Sequence, residues 1–64
     1  MIHVELNWSD EDEQGLFVTR VRTDDFLTAL TAATQALATE TSDRNMVEVE
    51  QIRMAVDEVP EIDP

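Results

Sequence analysis

The sequence predicts a small α+β domain in which one helix packs on one face of a three-stranded antiparallel sheet, with the element order β-β-α-β and the strand order 2-1-3. Three observations predict this fold. Residues 2–8 alternate apolar and polar side chains, residues 24–39 have a helical apolar period, and residues 16–22 and 46–56 are rich in β-formers. We therefore expect one ββαβ domain over residues 1–56 and an acidic, disordered tail over residues 57–64.

The first two strands are predicted to form a hairpin around a polar loop that contains the only glycine, Gly15. The alternating apolar residues of the first strand are Ile2, Val4, Leu6 and Trp8. The second strand covers residues 16–22, which include Leu16, Phe17, Val18 and Val21. This hairpin supplies two of the three expected strands.

The register of the hairpin can be chosen from the charges of the second strand. If Trp8 paired with Leu16, Arg20 and Arg22 would point towards the apolar face, where burial of a guanidinium is costly. Pairing Trp8 with Phe17 places Arg20 opposite Glu5 on the outer face, which is a favourable cross-strand pair. A slip of one residue exchanges the two faces. We therefore expect the second register, which leaves Val18 on the outer face.

Residues 24–39 are predicted to form the helix. Thr23 is the expected N-cap, so that Asp24 and Asp25 would lie in the first turn, where the helix dipole favours anions. The residues of the apolar face are Phe26, Leu30, Ala33 and Leu37. The outward positions are almost uncharged, which is unusual on so charged a chain and makes them a candidate contact surface. These outward positions are Thr28, Thr31 and Gln35.

Residues 46–56 are predicted to form the third strand. Their apolar positions change parity between Val49 and Ile52, so we expect a bulge near Glu50 and Gln51 that restores one apolar face. The same residues also fit helical spacing, which leaves a second helix as the alternative. The β-branched content favours the strand. Pairing with the first strand would place the first strand in the centre of the sheet.

Charge is the strongest compositional feature. The chain has 15 Asp and Glu against 4 Arg, with a net charge of -11 and no cysteine. Such a surface repels duplex DNA and anionic membranes, so we expect a basic partner protein and no direct nucleic-acid or membrane contact. No apolar segment is long enough to span a membrane, and no signal peptide is evident, so we expect a cytoplasmic protein. The alternative is that the acidity serves solubility only.

We expect neither an enzyme nor a bound cofactor. The only histidine, His3, has no acid partner at a recognisable spacing, and cysteine and tyrosine are absent. The loop residues Asp10, Asp12 and Gln14 follow the spacing of a calcium-binding EF-hand loop, but Val21 stands where that loop requires a glutamate. A solvated acidic turn without a metal is the interpretation that we favour.

Two surfaces are candidates for interactions. The first is a partner-binding set of carboxylates that can imitate the phosphates of a nucleic acid. Its residues are Asp10, Glu11, Asp12, Glu13, Glu48, Glu50, Asp57 and Glu58. The second surface is the second strand, which is expected at an edge of the sheet, where self-association would give a homodimer. Its residues are Val18, Arg20 and Arg22.

Two stretches of the chain resemble known small proteins in their arrangement. Residues 17–21 (FVTRV), followed by residues 23–25 (TDD) at the helix start, resemble the strand–strand–helix–strand layout of phage-encoded inhibitors of bacterial RNA polymerase. Residues 10–18 (DEDEQGLFV) are similar to the start of HicB-type antitoxins, although the proline- and glycine-containing link before the helix is missing. Both resemblances imply an architecture, and neither transfers a functional residue.

The expected function is that of a small acidic inhibitor or adaptor encoded by a phage or another mobile element. It would act in the host cytoplasm as an anti-defence, anti-CRISPR or DNA-mimic protein that binds a basic surface of a larger nucleic-acid-handling host protein. The alternative is a self-associating structural or adaptor module whose acidity serves solubility only.

Overall fold

A computed structural model describes residues 1–57, which form a three-stranded antiparallel sheet and one helix. The elements are β1 (Ile2–Ser9), β2 (Gln14–Val21), α1 (Phe26–Glu40) and β3 (Glu48–Val56). The strands lie in the order β2-β1-β3, which confirms the predicted fold with the first strand in the centre. The alternative of a second helix in residues 46–56 is wrong. Of the tail predicted over residues 57–64, only Asp57 is described, and it is held by a hydrogen bond and an ion pair; residues 58–64 lie outside the described residues.

The core lies between one face of β1 and one face of α1. The buried apolar residues are Ile2, Val4, Leu6, Ala29, Ala33 and Leu37. The helix lies over β1 and β2, and its two buried alanines allow it to approach the sheet closely. Only four of the six buried side chains are larger than alanine, so this core is small even for a domain of 64 residues.

The register of the hairpin differs from the predicted one by two residues. Trp8 pairs with Gly15, and Glu5 pairs with Val18. A shift of two keeps each side chain on its predicted face, but the predicted pair of Arg20 and Glu5 is wrong. The indole of Trp8 packs across Gly15, where an added Cβ would come within 2.7 Å of the ring atom Cζ2. Only glycine leaves room for that ring, so Gly15 favours the observed pairing.

The start of the helix also differs from the prediction. The N-cap is Asp25 instead of Thr23, and the Asp25 carboxylate accepts a hydrogen bond of 2.8 Å from the backbone N–H of Thr28. Thr23 instead stabilises the segment before the helix, because its hydroxyl oxygen accepts a hydrogen bond of 3.1 Å from the backbone N–H of Asp25. Asp24 therefore lies before the helix. The hydroxyl and the N–H of Thr28 both lower the pKa of Asp25.

The predicted bulge in the third strand is confirmed. Asn7 pairs with Gln51 and Trp8 pairs with Val49, which leaves Glu50 as the extra residue. The apolar residues on the two sides of the bulge therefore share the face that carries the apolar row of β1. The strand itself begins at Glu48, two residues later than expected.

Candidate functional site

The candidate site is the end of the sheet where β1 stops and β3 starts. Ser9 pairs with Glu48 of β3, and its hydroxyl donates a hydrogen bond of 2.8 Å to Glu50 Oε1. The loop between α1 and β3 reaches the same place, because Arg44 contacts Asp10 of the hairpin loop. We call the carboxylates collected here the acidic end. They are Asp10, Glu11, Asp12, Glu13, Asp43, Glu48 and Glu50.

The hairpin loop is ordered by the side chain of Asp10. Asp10 Oδ1 accepts hydrogen bonds from the backbone N–H groups of Asp12 at 2.8 Å and Glu13 at 2.6 Å. The backbone N–H of Asp10 donates to the Glu13 carbonyl at 2.8 Å. These three bonds close a turn of four residues, so the loop acids are presented by an ordered backbone.

Arg44 holds this turn against the sheet. Its guanidinium donates to Asp10 Oδ2 at 2.8 Å and to Glu13 Oε2 at 3.1 Å, and it lies 5.1 Å from the centroid of the Trp8 ring. The hydrogen bond from Arg44, followed by the two backbone N–H bonds, lowers the pKa of Asp10. The hydrogen bond with Asp10 in turn raises the pKa of Arg44. The sequence interpretation missed this role, although Arg44 is the only basic residue between the helix and β3.

Two acids of the hairpin loop, Glu11 and Asp12, are exposed beside the ion pair of Arg44 and Asp10. Glu11 and Asp12 line a shallow cleft of about 280 Å³ together with Asp43 and Asn45. Among residues 1–57, neither Glu11 nor Asp12 has an ion-pair partner. Glu48 and Glu50 are also exposed. The acidic end therefore offers free carboxylate oxygens, which accept hydrogen bonds from lysine and arginine side chains.

The remaining members of the predicted acidic set are not part of this site. Asp57 follows β3 at the opposite end of the sheet, where its carboxylate forms an ion pair with Arg20 and its N–H donates to the Met1 carbonyl at 2.8 Å. Glu58 lies outside the described residues. Six of the eight predicted acids are thus brought together, and one is directed elsewhere by a local ion pair.

The second predicted surface is the outer face of β2. Val18 is 49% exposed there, next to Leu16, which is 54% exposed. Arg20 is engaged by Asp57, and Arg22 lies exposed just beyond the strand. The open face of this edge strand is therefore partly apolar, as predicted, and one of its two arginines already has a partner.

A further exposed apolar surface was missed by the sequence interpretation. Val49, Ile52 and Val56 are 39%, 45% and 58% exposed, although they lie on the helix-covered face of the sheet. The reason is the width of the helix. A helix about 10 Å wide covers about two strands that are spaced about 4.8 Å apart, so one helix does not fully cover a three-stranded sheet. The signal was present in the sequence, since one predicted helix faced three predicted strands.

The described residues indicate no metal site in the hairpin loop. Within residues 1–57, no group of three or more His, Asp and Glu side chains is arranged to hold a metal ion. The carboxylate of Asp10 is turned towards backbone N–H groups and Arg44 instead of a common centre. In the same part of the chain, no helix is both long and apolar enough to cross a membrane. No protein-family model, curated protein or solved structure matches this chain.

Proposed function

We propose that this protein is a protein-binding module whose acidic end binds a basic surface of a larger, nucleic-acid-handling protein. The more specific form of the proposal is an inhibitor encoded by a phage or another mobile element, of the anti-defence, anti-CRISPR or DNA-mimic type. The observation that carries the proposal is the collection of the hairpin-loop acids and the β3 acids at one end of the sheet.

The order of the acidic end supports binding of a specific partner. The hydrogen bonds of Asp10 and the double contact of Arg44 hold the loop in one conformation. Glu11 and Asp12 are therefore displayed without the loss of backbone freedom that a disordered acidic segment would suffer on binding. An ordered array of carboxylates can match the spacing of basic groups that normally contact phosphates.

The distribution of charge also supports the proposal over a role in solubility alone. Solubility requires net charge but does not require that the acids be grouped. Seven carboxylates with one guanidinium at one end of a small domain create a directional field that speeds encounter with a basic groove. The same field repels duplex DNA, so the partner is a protein.

The experiment is capture of partners from a host-cell lysate on the immobilised full chain, with matched charge variants. Glu11→Gln with Asp12→Asn neutralises two exposed carboxylates of the acidic end. Asp24→Asn with Asp57→Asn changes the net charge equally at the opposite end. We expect the first variant to lose the captured protein and the second to retain it. Raising the salt from about 0.05 to about 0.3 M shortens the screening distance and should release the partner.

Competition identifies the surface that the captured protein uses. If the acidic end occupies a groove that normally holds nucleic acid, added duplex DNA displaces the module from its partner. Equal capture by both charge variants, or capture that salt and DNA leave unchanged, would contradict the proposal.

A further inference from the structure

The outer edge of β3 carries backbone hydrogen-bonding groups that the sheet does not use. β3 is an edge strand, and within residues 1–57 it pairs only with β1. The N–H of Asp57 donates to the carbonyl of Met1, which stands opposite it in the register of the two strands. In an antiparallel pair, residues that exchange hydrogen bonds alternate with residues whose N–H and C=O point away from the partner. Asp57 belongs to the first kind, so the backbone groups of Ile52, Met54 and Val56 point outwards.

The residues with these free backbone groups also carry apolar side chains. Ile52, Met54 and Val56 stand opposite buried residues of β1, so their side chains lie on the helix-covered face. Met54 already packs against the core, whereas Ile52 and Val56 are exposed. A strand added beside β3 would form its hydrogen bonds with these three residues, and residues that pair directly share a face of the sheet. Apolar side chains of the added strand would therefore cover Ile52 and Val56.

The other edge of the sheet lacks this combination. Each residue of β1 directs its N–H and C=O to one side, so the residues that do not bond to β3 bond to β2. The outward backbone groups of β2 therefore belong to Leu16, Val18 and Arg20, whose side chains lie on the open face. In the described part of the chain the only helix packs on the opposite face. A strand added to β2 would pair these residues without a second layer to pack against.

We propose that β3 accepts an extended segment of the basic partner protein as a fourth, antiparallel strand. The inference rests on the proposed function for the charge of the partner, and it specifies the conformation and side-chain pattern of the segment. Antiparallel pairing matches the rest of the sheet and is the more stable arrangement per residue. Apolar residues of the segment pair with Ile52, Met54 and Val56, and polar residues alternate with them. Basic residues follow at the C-terminal end, which antiparallel pairing brings to the exposed Glu48 and Glu50.

Charge decides which extended segment fits this edge. The net charge of -11 opposes a second copy of the chain as the added strand. Residues 58–64 of the same chain hold three acids and two prolines, and proline lacks the N–H that a ladder requires. The extra residue Glu50 ends the regular edge, so the hydrogen-bonded contact spans residues 51–56 and the charged contact lies at the bulge. A segment with basic residues after an alternating stretch satisfies both conditions.

The probe for the test is a short peptide of the sequence TVTVTVTRR, with both ends blocked. In the proposed pairing its valine N–H groups face β3 and its threonine N–H groups face away, so N-methylation of the two central threonines prevents self-association without touching the contact. The readout is amide hydrogen exchange of the isotope-labelled full chain, measured by NMR. In the free chain, the amides of Ile52, Met54 and Val56 should exchange quickly and those of Arg53 and Ala55 slowly. Peptide at about ten times its Kd should slow the first three by about 10-fold.

Matched controls isolate the backbone contact, the charge contact and the edge. Moving the N-methyl groups to the last two valines blocks the groups that face β3 and should raise the peptide Kd by about 10-fold or more. Moving the two arginines to the N-terminal end should raise the Kd by roughly 2- to 10-fold. Ile52→Lys puts a charge into the apolar row and should raise the Kd by about 10-fold or more. Leu16→Lys should leave the Kd unchanged, because Leu16 is similarly exposed but lies on β2. Circular dichroism checks that both variants are folded.

Four results would overturn the proposal. They are slow exchange of the three β3 amides in the free chain, which would mean that the edge is already occupied; protection that falls on Leu16, Val18 and Arg20 instead; equal binding of the two N-methylated peptides; and no binding at about 1 mM peptide. The proposed function fails by a different result. It is contradicted when Glu11→Gln with Asp12→Asn still captures the lysate partner, and that variant leaves every residue of the β3 edge unchanged.

Discussion

Gly15→Ala is expected to destabilise this protein, although alanine is normally preferred to glycine within a strand. At a position with enough space, replacing glycine by alanine stabilises a protein by about 0.4–1 kcal/mol, because the unfolded chain has less freedom to lose. Here the new methyl carbon would lie 2.7 Å from Cζ2 and 2.8 Å from Cε2 of Trp8, so the indole would have to move. Overpacking of this kind costs about 1–3 kcal/mol, and the net loss should be about 1–2 kcal/mol.

Gly15→Ala should have the opposite effect on the free energy of unfolding once the indole is absent. In a Trp8→Val background the strand keeps a β-branched apolar residue but loses the ring that lies over Gly15. Gly15→Ala should then stabilise the protein by about 0.4–1 kcal/mol. The four proteins form a double-mutant cycle, and its coupling energy should be about 1–3 kcal/mol.

Urea unfolding followed by circular dichroism measures all four proteins, because the only tryptophan is lost in two of them. If Gly15→Ala has the same effect in both backgrounds, the ring does not determine the pairing of Trp8 with Gly15. A gain of stability in the wild-type background would equally refute the packing argument.

Three further predictions concern stability. The pKa of Asp10 is lowered in the folded protein, so its stabilising contribution is present above the unfolded pKa of about 3.9 and is lost as the pH falls through the lower folded value. Arg44→Gln removes the main cause of this shift, so the free energy of unfolding should depend less steeply on pH below about 4. Urea titrations at several pH values measure this dependence. Met46 has a positive φ of 56°, a left-handed conformation that asparagine adopts at a lower cost than methionine. Met46→Asn should therefore raise the urea midpoint, with a gain in stability of about 0.5–1 kcal/mol. Leu37→Ala should lower the free energy of unfolding by about 2–5 kcal/mol, because Leu37 is buried. Leu16→Ala on the open face should change it by less than about 0.5 kcal/mol. Similar losses of stability in both variants would contradict the assigned core.

Local patterns in the chain were sufficient to predict the elements and their order. The alternation from Ile2 to Trp8 and the parity change between Val49 and Ile52 depend only on the geometry of a strand, so the central strand and the bulge near Glu50 were both found. The N-cap was misplaced by two residues, because Thr23 and Asp25 are both good capping residues and tertiary context selects between them.

The candidate site could be predicted only in part. The acids of the loop and of β3 were identified from their types, but Asp57 is removed from the set by Arg20, and Arg44 joins it from a distant part of the chain. Long-range ion pairs of this kind leave no periodic trace in a sequence. The contact between Arg44 and Asp10 spans 34 residues, and no local rule predicts it.

The pattern of apolar residues was enough to assign the side chains that face the core, since a period of two or 3.6 gives each residue a face without any reference to its neighbours in space. Which residues stand opposite one another depends on packing in three dimensions. A hairpin shifted by two residues has the same faces, and the packing of the Trp8 ring on Gly15, together with the turn closed by Asp10, favours the observed pairing. Packing also explains why the helix lies mainly over β1 and β2 and leaves Val49, Ile52 and Val56 of β3 exposed, because that outcome follows from the width of the packed elements and not from their pattern.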